Sequence, residues 1–159
     1  MNMDISNIIS DAVAGVINNL PQMSLSLAKK LAEKIEEKAA QMGVNAVVAI
    51  SDAGARTVLV ECMDNSYYAS YDIAVNKAYT SVSLKMPTKD LAELAKPGGS
   101  LYGIQHTNNG KIVIFGGGVP LKFGNKVIGG VGVSGGTAKQ DTELGDYALT
   151  AFTEIMKGL

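Results

Sequence analysis

Apolar residues recur at three- and four-residue steps over residues 3–20. Ile5, Ile8, Ile9, Val13, Val16, Ile17 and Leu20 form one stripe, with Asp4, Ser6, Asn7, Ser10, Asp11 and Asn18 on the other side. That spacing predicts an amphipathic helix, opened by Asp4 and closed by Asn18-Asn19 and Pro21. After a short polar link, Ser24 begins a second helix that runs to Met42. Leu27, Leu31, Ile35, Ala39 and Met42 face inward, and Gly43 is the left-handed stop. Asn45–Ser51 and Arg56–Glu61 read as two strands about the turn Asp52-Ala53-Gly54-Ala55. A third helix, Ser70–Leu84, carries the stripe Ile73, Ala74, Lys77, Ala78, Ser81 and Val82. Pro87 breaks the run, and Thr88 is placed to cap a short helix, Lys89–Ala95.

Ser100–His106 and Lys111–Phe115 flank Thr107-Asn108-Asn109-Gly110, whose Asn-Gly predicts a hairpin. A second hairpin follows. Val119, Leu121 and Phe123 alternate on its first strand, Gly124-Asn125 turns it, and Val127, Ile128, Val131 and Val133 make the second. Gly135-Gly136-Thr137 ends that strand, and Thr137 with Gln140 has the spacing of a capping box. The last helix, Ala138–Lys157, turns Leu144, Ala148, Ala151, Phe152 and Ile155 inward. Hairpin-linked strands with helices grouped between them imply an α+β fold, an antiparallel sheet with helices on its faces. The chain has 159 residues, enough for one domain at residues 23–159, preceded by a leader helix and linker at residues 1–22.

Composition narrows the partners. The chain is 47% hydrophobic and 18% charged, with mean hydropathy +0.15, so part of its surface is apolar. A small domain of that kind buries more area by associating with copies of itself, which predicts a homo-oligomer. A net charge of −1 and a pI of about 5.8 lack the basic face that nucleic acid demands. One cysteine, Cys62, excludes an internal disulfide framework. No apolar run approaches the ~18 residues of a membrane span, and Asp4 stands where a signal peptide would carry lysines, so the chain reads as cytoplasmic. The leader either packs on its own domain or lays its apolar face into a groove on a partner. Its polar face lacks the Lys and Arg of a membrane-surface helix.

Two stock motifs fail on context. Gly130-x-Gly132-x-x-Gly135 matches a dinucleotide fingerprint, but the chain after Gly135 has room for one helix and no further parallel strand. Gly132-x-Ser134-x-Gly136 matches a nucleophile elbow, yet the only histidine, His106, precedes the serine. Three features keep a functional reading beside a bland one. The amides of Gly135, Gly136 and Thr137 at a capped helix start could hold a carboxylate or phosphate; alternatively the glycines only allow close packing. Lys77 lies on a small, apolar helix face, so its charge either snorkels out or meets an acid or a ligand. His106 beside its turn is either a plain surface residue or an axial ligand to haem.

Several segments together carry a resemblance. LAKKLAEKIEEKAAQMGV, VVAISDAGARTVLVECMD, DIAVNKAYTSV, LYGIQHTNNGKIVIFGGGVPL and GNKVIGGVGVSGGTAKQD, in that order, resemble the GlcG/HbpS family. That family includes the C-terminal domain of PduO-type corrinoid adenosyltransferases. The resemblance spans about residues 24–157 and implies a profilin-like three-layer α/β/α domain with a five-stranded antiparallel sheet. It also implies compact homo-oligomers, haem binding in some members, and operons for glycolate, propanediol or ethanolamine use. The adenosyltransferase domain is absent, so corrinoid adenosylation is not carried over. In the PduO-type domain a histidine near the start of the first family helix serves the haem. Here that stretch reads Met23-Ser24-Leu25-Ser26-Leu27, which leaves the iron to His106, Tyr102 or Met63. The leader resembles those that address enzymes to the interior of bacterial microcompartments.

The expectation is a non-catalytic accessory protein for haem or a related tetrapyrrole, with a tie to a microcompartment for diol or amine metabolism as its further part. His106 would serve as metal ligand, with Lys77, Gly135, Gly136 and Thr137 as cofactor-binding positions. The rivals are a small enzyme acting on a hydroxy-acid or aldehyde through Lys77 or Glu61, and a cargo protein bound to a shell protein through residues 3–20.

Overall fold

The computed structural model describes residues 5, 6, 8–10 and 21–158. The described part of the leader is helical, with Ile5, Ile8 and Ile9 exposed; the rest of the predicted helix over 3–20 lies outside the described residues. From Leu25 the chain runs α1 (Leu25–Gln41), β1 (Val47–Asp52), β2 (Thr57–Cys62), α2 (Tyr68–Leu84), α3 (Thr88–Ala95), β3 (Gly118–Phe123), β4 (Lys126–Ser134) and α4 (Ala138–Lys157). Ser24 caps α1 by accepting the Leu27 amide at 3.1 Å, and Gly43 follows its end at φ +67°. Asp52 organises the β1–β2 turn, its Oδ1 accepting the amides of Gly54 and Arg56.

The sheet is antiparallel, in the order β2-β1-β4-β3. It has four strands, not the five implied by the resemblance. The difference lies in residues 100–115, where the predicted hairpin is replaced by two short 3₁₀ turns, Ile104–His106 and Asn108–Gly110. Asn108, Asn109 and Gly110 all take positive φ, at 52°, 56° and 75°. Three successive left-handed residues coil the chain instead of reversing it between paired strands. Gly103 is left-handed too, at φ 90°. The extended run after Lys111 finds a helix side chain: the Val113 amide donates to Thr80 Oγ1 at 3.0 Å. Thr88 also departs from expectation. The α3 N-cap is Pro87, and Thr88 Oγ1 instead accepts the Gly118 amide at 2.9 Å, tying the start of α3 to β3.

Alternation along the strands divides the interior in two. Val48, Ile50, Val119, Leu121, Val131 and Val133 face α1 and α4 in the larger core, with Leu31, Ile35, Leu144, Ala148 and Phe152. On the other face Val47 and Ala49 meet Ala74 and Ala78 of α2. That second layer is thin because the backbones nearly touch. A Cβ on Gly132 would fall on the carbonyl oxygen of Ala74 and lie 2.6 Å from the Ala78 amide. Only glycine lets helix and strand approach so closely.

Candidate functional site

Lys77 projects from the sheet-facing side of α2 and is 0% exposed. Its Nζ donates to Asp141 Oδ2 at 2.7 Å and to the Val133 carbonyl at 2.7 Å, and lies 4.9 Å from the Phe115 ring centroid. The charge meets an acid from the first turn of α4, and the bond to Val133 uses a carbonyl of β4. Burial pushes the ammonium below the usual lysine range, while the Asp141 carboxylate opposes that shift. Gly117, at φ 115°, passes so near that a Cβ there would lie 2.8 Å from Nζ. Gly117 is thus a wall of this ion pair, against both Lys77 Nζ and the Asp141 Cβ.

Asp141 also reaches the glycine turn, its Oδ1 accepting the Gly136 amide at 2.9 Å. The Thr137 amide donates to Gln140 Oε1 at 2.9 Å, and the Gln140 amide returns to Thr137 Oγ1 at 3.2 Å. The capping box is therefore present as the sequence spacing predicts. At the helix start where the sequence suggested an anion site, the Gly136 and Thr137 amides are taken by the chain's own carboxylate and amide groups. Lys77 and Asp141 thus form a buried pair that reaches the exposed Gly136 amide, while Thr137, also exposed, pairs with Gln140. Asp141 is the member that sequence reasoning missed, although its place in the first turn after a capped start was the available signal.

His106 stands apart from that cluster. It closes the first 3₁₀ turn, exposed, with one ring nitrogen 3.5 Å from Gln105 Nε2. Leu101 and Tyr102 beside it are exposed, and the Lys111 ammonium sits 5.5 Å from the Tyr79 ring centroid just beyond the Asn108 turn. The Tyr79 hydroxyl reaches Asn108 Oδ1 at 3.5 Å, which anchors this loop to α2. Of the other two donors considered for iron, Tyr102 is exposed, while the Met63 sulfur accepts the Ala46 amide at 3.3 Å. Glu61 lies beside Glu36, whose carboxyl is raised by burial and by the Glu61 charge. A groove of ≈580 Å³ runs between the end of β2 and the start of α2, lined by Val47, Cys62, Met63, Tyr67, Tyr68 and Tyr71 among others.

Residues 23–150 match the family described as haem degrading protein HbpS-like. The chain belongs to the HbpS-like family. An uncharacterized 15.0 kDa protein of the dhaT-dhaS intergenic region of Citrobacter freundii is 46% identical over 133 residues, which cover 84% of this chain and 94% of that protein. The corrinoid adenosyltransferase PduO of Salmonella typhimurium is 37% identical over 72% of this chain, but the match spans only 34% of that enzyme. Among solved structures, Klebsiella pneumoniae protein ORFY superposes with a TM-score of 0.81 at 43% identity, covering 85% of this chain and 94% of that one. A PduOC:Heme complex superposes with a TM-score of 0.79 at 34% identity, covering 82% of this chain and 95% of that one. HbpS-like relatives therefore share this mixed fold, with its antiparallel sheet and flanking helices. Among the described residues, no helix is long and apolar enough to cross a membrane.

Proposed function

We propose that this HbpS-like chain is a non-catalytic accessory protein that binds haem or a related tetrapyrrole on its surface, on a profilin-like frame, with His106 as the iron ligand. The observation that carries this reading is the exposed imidazole on a turn flanked by exposed Tyr102 and Leu101. Its ring nitrogen makes only a long approach, 3.5 Å, to the Gln105 amide group. The donor set fits the group: an imidazole ligates haem iron, the exposed Tyr102 ring and Leu101 side chain offer surface to the macrocycle, and a cation such as Lys111, on the same segment, suits a propionate. Likeness to the PduOC:Heme chain supports the same ligand. Lys77 holds no part of the ring in this arrangement, and the Gly136 and Thr137 amides serve the cap.

The enzyme reading finds less support. Lys77 is sealed from solvent by Asp141, Val133 and Phe115, so as a base it meets no substrate. A place inside a microcompartment, addressed by residues 3–20 to a shell protein, is the finer part of the proposal. It rests on the amphipathic pattern of that segment and on the likeness to PduO.

The test is titration of the purified chain with haemin while following the Soret band. A saturable shift that His106→Ala abolishes is the expected result. Absence of saturation in the wild type, or an unchanged shift in His106→Ala with Tyr102→Phe as a further comparison, overturns the assignment. For the address, deletion of residues 1–20 is expected to end co-purification with shell proteins.

A further inference from the structure

The two edges of the sheet are finished differently. The β3 edge carries Pro120 and Lys122, and α3 is pinned to its first residue through Thr88. Proline and lysine are devices that discourage another strand from pairing. The β2 edge, Thr57-Val58-Leu59-Val60-Glu61-Cys62, has neither. The Met63 amide donates to Ala46 on β1, so by the antiparallel alternation Val60 and Cys62 turn their backbone groups away from the sheet. Those groups are satisfied in kind by an added strand.

The surface beside that edge is aromatic. Tyr67, Tyr68 and Tyr71 at the start of α2 are 72%, 101% and 54% exposed. They border the groove that holds Cys62, on the face where α2 leaves β2 largely uncovered. At about 200 Å² per ring, the three offer roughly 450 Å², over half of the ~800 Å² per side of an ordinary stable interface.

We infer that β2 is the contact between two copies of this chain, the strands pairing antiparallel about a twofold axis. Tyr67, Tyr68 and Tyr71 of each copy then close over the first half of the other copy's β2. Charge favours a second copy over an unrelated strand. Arg56, whose exposed side chain holds Asp52 at 3.1 Å within one copy, precedes β2 and can be shared with a second acid, and Glu61 lies near the end of the strand. Antiparallel pairing of identical strands brings Arg56 of each copy toward Glu61 of the other, on the same face of the joined sheet. The inference uses no residue of the proposed haem site, so either can fail without the other.

Sedimentation equilibrium on the full chain tests it. The wild type is expected at twice 16.6 kDa or a higher even multiple. Val60→Pro removes an outward amide unused within one copy, and Tyr68→Glu charges a ring that is fully exposed in one copy; each is expected to lower the mass at least twofold. Both variants should also speed alkylation of Cys62, which pairing covers. Circular dichroism checks that Val60→Pro is folded, and Tyr68→Glu carries the test if it is not. A wild type at 16.6 kDa, or wild-type mass in folded Tyr68→Glu and Val60→Pro, overturns the inference. Loss of association on deleting residues 1–20 while Val60→Pro keeps its mass overturns it too, assigning the contact to the leader.

Discussion

Asp141→Asn is the most informative single change, because it keeps the shape of the buried cluster and removes one charge. In the native chain the carboxylate accepts from Lys77 on one oxygen and from the Gly136 amide on the other. An asparagine has one oxygen for these two donors, so either Lys77 or Gly136 must face an NH₂ group. Lys77 is 0% exposed and cannot turn to water. Leaving one member of a buried pair uncompensated costs about 3–5 kcal/mol. At about 2–4 °C per kcal/mol for a domain of this size, that lowers the melting temperature by roughly 6–20 °C. The loss should also depend on pH. Lys77 has a folded pKa below its unfolded value, so through that window the unfolded chain binds more protons and stability rises with pH. Removing the Asp141 charge depresses the folded pKa further and widens the window downward. The penalty of Asp141→Asn is therefore full at neutral pH and shrinks as pH rises toward 10, where the lysine is shedding its proton in both states. Urea unfolding at pH 7 and pH 10, at one fixed protomer concentration, measures both values. A difference under about 1 kcal/mol at pH 7, or a larger penalty at pH 10 than at pH 7, would refute the reasoning.

Gly132→Ala should destabilise by roughly 3 kcal/mol, the upper end for overpacking a core, because its Cβ meets the α2 backbone. Gly43→Ala, at positive φ in open space, should cost about 1 kcal/mol; equal losses in urea melts would deny close packing its role. Thr137→Ala, which breaks the capping box, is expected to lower stability by about 1 kcal/mol, with Thr137→Ser recovering most of it. His106→Ala should stay within about 0.5 kcal/mol of wild type in the same melts, since the residue is exposed; a larger loss would place it in the structure rather than at a ligand.

Patterned segments were legible. The stripes of α1, α2 and α4, the β1–β2 turn on Asp52 and the Gly124 turn between β3 and β4 all follow from spacing and turn chemistry. Residues 100–115 were not, because Asn-Gly signals a reversal without saying whether flanking strands exist. Gly103 within the first flank was the contrary sign, and the run after Lys111 is held by Thr80, a contact no local pattern announces. Thr88 failed as a cap for a similar reason: a hydroxyl before a helix also suits a neighbouring strand, and Gly118 took it. At the candidate site, the conflict posed by Lys77 was visible as a charge on an apolar stripe. Its resolution was hidden, since Asp141 lies 64 positions away.

That resolution bears on where a ligand goes. Gly130 and Gly132 are consumed in bringing α2 onto β4, Gly117 walls the Lys77–Asp141 pair, and Gly135 lies against the backbone of Asn45 and Ala46. A sheet face covered that closely by small residues has no interior room for a macrocycle, and the cap amides already have partners. Binding capacity is displaced to places where the backbone is not pressed against a neighbour: the coiled segment bearing His106, and the β2 edge with its tyrosines. The first offers a metal donor and the second a surface for another copy of the chain. The two places share no residue, so the tightness of the core pushes ligand and assembly to separate surfaces, each answerable to its own variant.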